Sequence, residues 1–219
     1  WCASEFGLGA GSGASKIFAR MDGYLPRPAD WVNGPGGIRP DARPWDAVAR
    51  DYAFVDEFAA LSPRVKGGGA RERYEYWLET FRYQRAMGHL NCLWGEFEAA
   101  LAKAKAEPDS IRRSDMARRD ALPKFRAMVD GVDEVYDHLL RSVSNNGELG
   151  TVMNWEQHLF PLVFDAPMKK LEKAAGSPIA VDVAGRSYSG PPRLIVPTVR
   201  PAIAKGEPFN VRAIVLDSP

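Results

Sequence analysis

Five consecutive residues, Asn154-Trp155-Glu156-Gln157-His158, form the densest group of chemistry-bearing side chains in this 219-residue chain. On a helix Asn154 and His158 lie one turn apart on a common face, with Trp155 beside them. An indole face stacks on a sugar ring, while amide, carboxylate and imidazole groups bond its hydroxyls. The group therefore suits carbohydrate binding, or else it knits two helices together as a satisfied internal network. A second group lies between Asp22 and Asp41, where four prolines and four glycines predict a long loop. Tyr24, Asp30, Trp31 and Asn33 set aromatic faces beside hydrogen-bonding groups there. They either contact a sugar or pin the loop to the body of the fold. The candidate substrate-binding residues are thus Tyr24, Trp31, Asn33, Asn154, Trp155 and His158.

Other chemistries find less footing. Gly7, Gly9, Gly11 and Gly13 alternate with small residues, but Lys16 is not preceded by glycine, so the Walker pattern fails. Gly9-Ala10-Gly11-Ser12-Gly13-Ala14 fits the loose dinucleotide form. That motif needs a βαβ unit, and a proline-rich loop follows instead, so the stretch reads as a flexible turn. Three histidines without ligand spacing and two cysteines predict no metal centre, and no cofactor is expected. Cys92 falls among small residues, which favours a free buried thiol over a bridge to Cys2. Arg112, Arg113, Arg118 and Arg119 are interleaved with Asp115 and Asp120 and lack intervening aromatic residues. They read as a solvated ion-pairing face, and nucleic acid is not expected as a partner. A net charge of +1 gives no general attraction to nucleic acid or anionic membrane, and no apolar run is long enough to span a bilayer.

The elements that must position these groups are mainly helical. The stretch from Arg71 to Lys105 lacks proline and carries two apolar seams at helical spacing. Tyr83, Met87, Leu90, Trp94, Phe97 and Leu101 form one; Tyr74, Leu78, Phe81, Gly88, Cys92, Gly95 and Ala99 form the other. The later members of the second seam are small and would let another backbone approach closely. A helix from Pro44 to about Pro63 carries the stripe Trp45, Val48, Tyr52, Val55 and Ala59. Ile111 to Val143 is helical, is interrupted at Pro123, and is capped by Asp109 or Ser110. Its Phe125, Val129, Val132, Tyr136, Leu139 and Val143 should face the long helix in an antiparallel pair. A short helix is expected after Gly150 and another from Asp165 to Gly176. Arg193–Val199 and Phe209–Leu216 read as strands joined by a turn at Lys205-Gly206-Glu207-Pro208. The expected fold is therefore mainly α: an antiparallel helical bundle around one long helix, with an irregular Gly/Pro-rich N-terminal segment and a short C-terminal strand pair. Residues 1–42 are the irregular segment, 43–176 the bundle, and 177–219 a linker with two strands of an incomplete sandwich.

This order of parts resembles the rear section of large bacterial carbohydrate-active enzymes, in which a (β/α)8 barrel passes into a helical region and then an Ig-like sandwich. Ser4-Glu5-Phe6-Gly7, the Asn154–His158 group, and the pair Pro192-Arg193-Leu194-Ile195-Val196-Pro197 and Val211-Arg212-Ala213-Ile214-Val215-Leu216 carry the likeness. In several retaining glycosidases with that barrel a late strand ends in Glu-Phe-Gly and the glutamate is the nucleophile. The resemblance thus implies Glu5 as a catalytic candidate, at the end of a barrel whose remainder lies outside the chain. No Asn-Glu dipeptide, the usual acid/base pair of those enzymes, occurs. The implied function is a helical accessory region of a secreted or periplasmic glycoside hydrolase. Its partners would be an oligo- or polysaccharide and the rest of a larger chain or a partner subunit. The alternative is a non-catalytic helical protein-interaction module. An independent enzyme is disfavoured, because no nucleophile and base pair stands out.

Overall fold

The structure, a computed structural model, describes residues 1–30, 36–183, 188, 190–196, 202–211 and 213–217. Its first departure from the sequence reading is at the N-terminus. Residues Cys2–Phe6 form α1 and Leu8–Met21 form α2, where an irregular segment with a flexible glycine turn was expected. The helices meet at Gly7, whose φ of 80° is the left-handed conformation that glycine adopts freely. The following glycines are packing residues. A Cβ on Gly11 would sit 2.6 Å from the Ala3 Cα, and one on Gly9 2.8 Å from the Arg64 carbonyl oxygen. Glycine costs roughly 1 kcal/mol against alanine in a helix, and close contact with α1 and its neighbours offsets that. Phe6, Ala10, Ala14 and Ile17 are buried in a core shared with later helices. The first 21 residues therefore belong to the bundle.

The described residues between α2 and the Trp45 helix, 22–30 and 36–44, are loop, pinned by a two-residue antiparallel ladder between β1 (Ala29–Asp30) and β2 (Gly37–Ile38). The Trp45 helix is broken into α3 (Trp45–Val48), a 3-10 turn (Ala49–Tyr52) and α4 (Ala53–Ala59). Its predicted stripe holds: Val48, Tyr52 and Val55 are buried, with Phe54 and Phe58 added.

Helix α5 (Gly68–Ala106) has 39 residues and is about 58 Å long. Its seam from Tyr83 to Leu101 is buried against Phe125, Val129, Val132, Tyr136, Leu139 and Val143 in one core. The Glu79–His138, His89–Glu134 and Glu96–Lys124 pairs run in opposite chain order, which makes α5 and α7 (Leu122–Ser142) antiparallel. The other seam serves the N-terminal core through Tyr74, Leu78, Phe81 and Cys92. Its small members admit close neighbours: a Cβ on Gly95 would lie 1.9 Å from the Asp41 carbonyl oxygen, and one on Gly88 2.5 Å from the Tyr52 hydroxyl. Ala99, at the end of this seam, is exposed.

Asp109 caps α6 (Ser110–Met116) by accepting from the Ile111 and Arg112 amides. The interruption expected at Pro123 is a π turn over Ala117–Ala121, in which the Leu122 amide reaches back to the Ala117 carbonyl. Two more π turns, Trp155–Leu159 and Pro161–Asp165, follow α8 (Asn146–Asn154) and lead into α9 (Ala166–Ala175). Each turn ends two residues before a proline, Pro123, Pro161 or Pro167. Proline lacks an N–H and crowds the carbonyl four residues back. A one-residue shift in hydrogen-bond register lets the chain remain helical there. Helix α8 starts at Asn146, earlier than expected, because Asn145 and Glu148 form a capping box. Gly147 and Gly150 thus lie inside the helix.

At the C-terminus β3 (Arg193–Ile195) pairs antiparallel with β4 (Ile214–Leu216). Both are shorter than the predicted strands, whose remaining residues include Pro197, Thr198, Val199 and Arg212, outside the described set. Ile195, Ile214 and Leu216 pack on the helical core, and Arg193 donates to the Arg141 and Val143 carbonyls at the end of α7. Two strands alone are marginal; this pair is held by the helices.

The Gly95 contact predicts a sign reversal against simple helix propensity. Gly95→Ala should lower stability by about 1–3 kcal/mol through overpacking. Gly150→Ala, which meets nothing within 4 Å, should raise it by up to about 1 kcal/mol. Urea titration reads both. A Gly95→Ala protein as stable as the parent would show that the loop yields.

Candidate functional site

The candidate residues that the structure describes take different roles. Glu5 lies in α1, not at the end of a strand, and its Oε2 is 3.0 Å from Arg73 Nε on α5. Arg73 also donates to the Glu5 backbone carbonyl. Glu5 thus fastens α1 to α5 and, among the described residues, has a guanidinium rather than a second carboxylate as its ion-pair partner. Trp155 is fully buried, and its Nε1 donates to the Tyr83 hydroxyl at 2.6 Å. It cannot stack on a sugar. The reason is the stripe Val152, Trp155, Leu159 and Val163, all buried at helix-like spacing. Trp155 belongs to the core, while His158 on the other side is exposed and Asn154 half-buried. Glu156 accepts from the Tyr136 hydroxyl. Tyr24 is 82% exposed and open to a ligand. Trp31 and Asn33 lie outside the described residues. No group of three ligating side chains that could hold a metal occurs among the described residues.

The structure brings together a different set, beneath the Gly/Pro-rich loop. Asn91 on α5 holds that loop at two points. Its Nδ2 donates to the Pro28 carbonyl at 2.6 Å, and its own carbonyl accepts from the Asp41 amide at 2.8 Å. Asn91 is 7% exposed, yet its Oδ1 has no hydrogen-bond partner among the described residues. One cavity of about 380 Å³, lined by Arg27, Arg39, Asp41, Arg43, Tyr52 and Asn91, opens beside it. A second, about 410 Å³, lies along the same Pro26–Pro28 strap and is lined by Gly23, Leu25, Asp30, Gln84 and Met87. The Gln84 Oε1 is likewise buried without a partner. Gln84 and Asn91 are two helical turns apart on α5, flanking Gly88. Buried acceptors without partners are uncommon and call for an explanation.

The electrostatics of the first cavity are lopsided. Arg43 grips Asp41 through Nη2 at 2.7 Å and Nε at 3.1 Å, and this contact holds the Asp41 carboxyl below its usual range. Arg27 and Arg39 form no ion pair or hydrogen bond among the described residues. Burial, reinforced by Asp51, pushes the Tyr52 hydroxyl upward, so it remains a neutral donor and acceptor. Burial pushes the Cys92 thiol up to about 11, and both cysteines are free, so this thiol is not an activated nucleophile. The site offers hydrogen-bond donors, acceptors and positive charge, which is the equipment of a binding pocket.

A larger trough of about 560 Å³ lies between α5 and β3, but much of its charge is consumed internally. Glu79 meets Arg82 at 2.8 Å and His138 at 2.7 Å, and Arg141 meets Asp137 at 2.7 Å. Burial alone would raise Glu79; His138 and Arg82 outweigh it and hold the carboxyl below its ordinary value. Comparison with protein-family models, curated proteins and solved structures finds no match. No described helix is long and apolar enough to cross a membrane.

Sequence reasoning missed Gln84 and Asn91. The available signal was two amides seven residues apart beside the small-residue seam.

Two outcomes follow from these contacts. Tyr83→Phe strands the buried Trp155 N–H and should cost about 1–3 kcal/mol, read by denaturant titration, with no effect on any ligand. The depressed Glu79 stabilises the fold above the unfolded value of about 4.3. That contribution is lost as pH falls through the lower folded value. Melting temperature followed down the acid limb should therefore drop less steeply in Glu79→Gln than in the parent, and equal slopes would remove Glu79 from the account.

Proposed function

We propose that this chain is a helical accessory region of a bacterial glycoside hydrolase, and that it binds sugar beneath the Gly/Pro-rich loop without performing the hydrolysis. The observation that carries this reading is the pair of buried acceptors, Asn91 Oδ1 and Gln84 Oε1, facing one loop and lacking partners. Sugar hydroxyls donate to such acceptors and accept from the arginines and Tyr52. Tyr24, set between the lining residues Gly23 and Leu25, adds an exposed ring for stacking. The sugar-binding set thereby moves from Trp155 and its neighbours to Tyr24, Tyr52, Gln84 and Asn91. A retaining mechanism needs two carboxylates about 5 Å apart, and the Glu5–Arg73 pair gives Glu5 a structural task instead. The reading implies a secreted or periplasmic protein that works beside a catalytic domain.

A second reading, a non-catalytic protein-interaction module, draws on the strand pair. Leu194 and Val215 face each other across the ladder on its outer side, at 72% and 69% exposure. Such a face would suit further β-structure, and it is compatible with sugar binding elsewhere in the chain.

Gln84→Met tests the sugar-binding reading. Replacing an unpartnered acceptor by an apolar group of similar shape should leave stability unchanged or slightly higher. Titration with an oligosaccharide panel by calorimetry should show affinity for the bound sugar falling about tenfold, or about 1.4 kcal/mol. Absence of binding across the panel by the parent protein would reject the sugar-binding reading.

A further inference from the structure

We infer that the cavity beside Asn91 takes an acidic sugar, a hexuronate unit whose carboxylate is met by Arg27 and Arg39. Its ring hydroxyls are met by Asn91 Oδ1 and the Tyr52 hydroxyl. The inference rests on the sugar-binding reading above and names the class of sugar.

The charge around the cavity is the first argument. Its lining carries Arg27, Arg39 and Arg43 against Asp41 and Asp51. Arg43 and Asp41 neutralise one another through their bidentate contact. That leaves two guanidinium groups against one carboxylate, a single net positive charge that matches a carboxylate better than a phosphate dianion. The planar guanidinium fork fits a carboxylate with two parallel hydrogen bonds.

The second argument is the orphan acceptor. A bare inorganic anion supplies no donor, so Asn91 Oδ1 would remain unsatisfied beneath it. A sugar acid carries both parts, the carboxylate for the arginines and hydroxyl donors for Asn91. Tyr52, kept protonated by burial, either donates to or accepts from a ring hydroxyl. The volume of about 380 Å³ falls within the range of small-molecule sites, about 300–1,000 Å³. The cavity is walled by the loop on one side and by α5 at Gly88 on the other, where the absent side chain leaves room for the Tyr52 ring.

The test is calorimetry on the full chain with galacturonate and glucuronate oligosaccharides, their neutral galactose and glucose counterparts, a sulfated oligosaccharide and inorganic sulfate. The uronides should bind at least tenfold more tightly than the neutral sugars. The difference should shrink as salt is raised, since Arg27 and Arg39 are exposed. In the Arg27→Gln/Arg39→Gln double variant, acidic and neutral sugars should bind alike. The melting temperature should be unchanged, because neither arginine bonds to the described protein. If acidic and neutral sugars bind the parent equally, or the double variant keeps its preference, the acidic class is wrong while the sugar-binding reading stands. If neither binds, both fall. If inorganic sulfate competes as strongly as the uronide, the cavity is a general anion site. A preference for the sulfated sugar would also overturn the assignment to a carboxylate.

Discussion

Everything in this molecule leans on burial of α5 from two sides. A 39-residue helix bearing Glu72, Arg73, Glu75 and other charges on its remaining face gains its stability from packing. One side meets α7 through large side chains, in the Tyr83 to Leu101 seam. The other meets the N-terminal helices through Tyr74, Leu78 and Phe81, then changes character at Gly88 and Gly95. There the helix presents bare backbone, and the 22–42 loop comes within contact distance at Asp41. That approach brings the Asp41 amide onto the Asn91 carbonyl. Two glycines that weaken the isolated helix thus create the wall on which the loop, and the cavities beside it, are built.

The second half of the chain solves a different problem. Pro123, Pro161 and Pro167 would each break a regular helix, but a π turn precedes each and moves the hydrogen-bond register by one residue. Helical backbone can then continue across the core, with Trp155 and Leu159 pointing inward. Arg193 ties the strand pair to the Arg141 and Val143 carbonyls at the end of α7, where cationic side chains are favourable. The same helix end therefore terminates the bundle and anchors the sheet.

The proposed function rests on what this packing leaves unsatisfied. In the trough between α5 and β3, the principal charged groups engage one another. Under the loop they do not: among the described residues the amide oxygens of Gln84 and Asn91 stay unpaired, while Arg27 and Arg39 face the cavity without counterions. Removing a buried acceptor from water without a partner costs about 1–3 kcal/mol. In the proposed reading a ligand with hydroxyl donors recovers that cost. The loop is fixed by Asn91 at Pro28 and Asp41, so the cavity is held open by the protein's own hydrogen bonds.

The sequence by itself determined the helical class, both seams of α5, the close approach at Gly88 and Gly95, a cap at Asp109 or Ser110 and the Gly176 stop. These features are local or periodic, and periodicity survives in one dimension because the helix repeats every 3.6 residues. It also held the stripe that buries Trp155, but the neighbouring polar residues made that tryptophan look like a ligand platform. Only the tertiary structure decided that Gly9, Gly11 and Gly13 lie in a packed helix, since a glycine that admits a neighbour and one that frees a turn are the same letter. Only it paired Glu5 with Arg73, separated by 68 positions. The cavity belongs to the same class. Arg27, Arg39, Tyr52 and Asn91 come from a loop, a helical turn and the middle of α5, and no spacing along the chain relates them. What joins them is the path of one loop over one helix, and which of their polar atoms remain unpaired is settled by that packing.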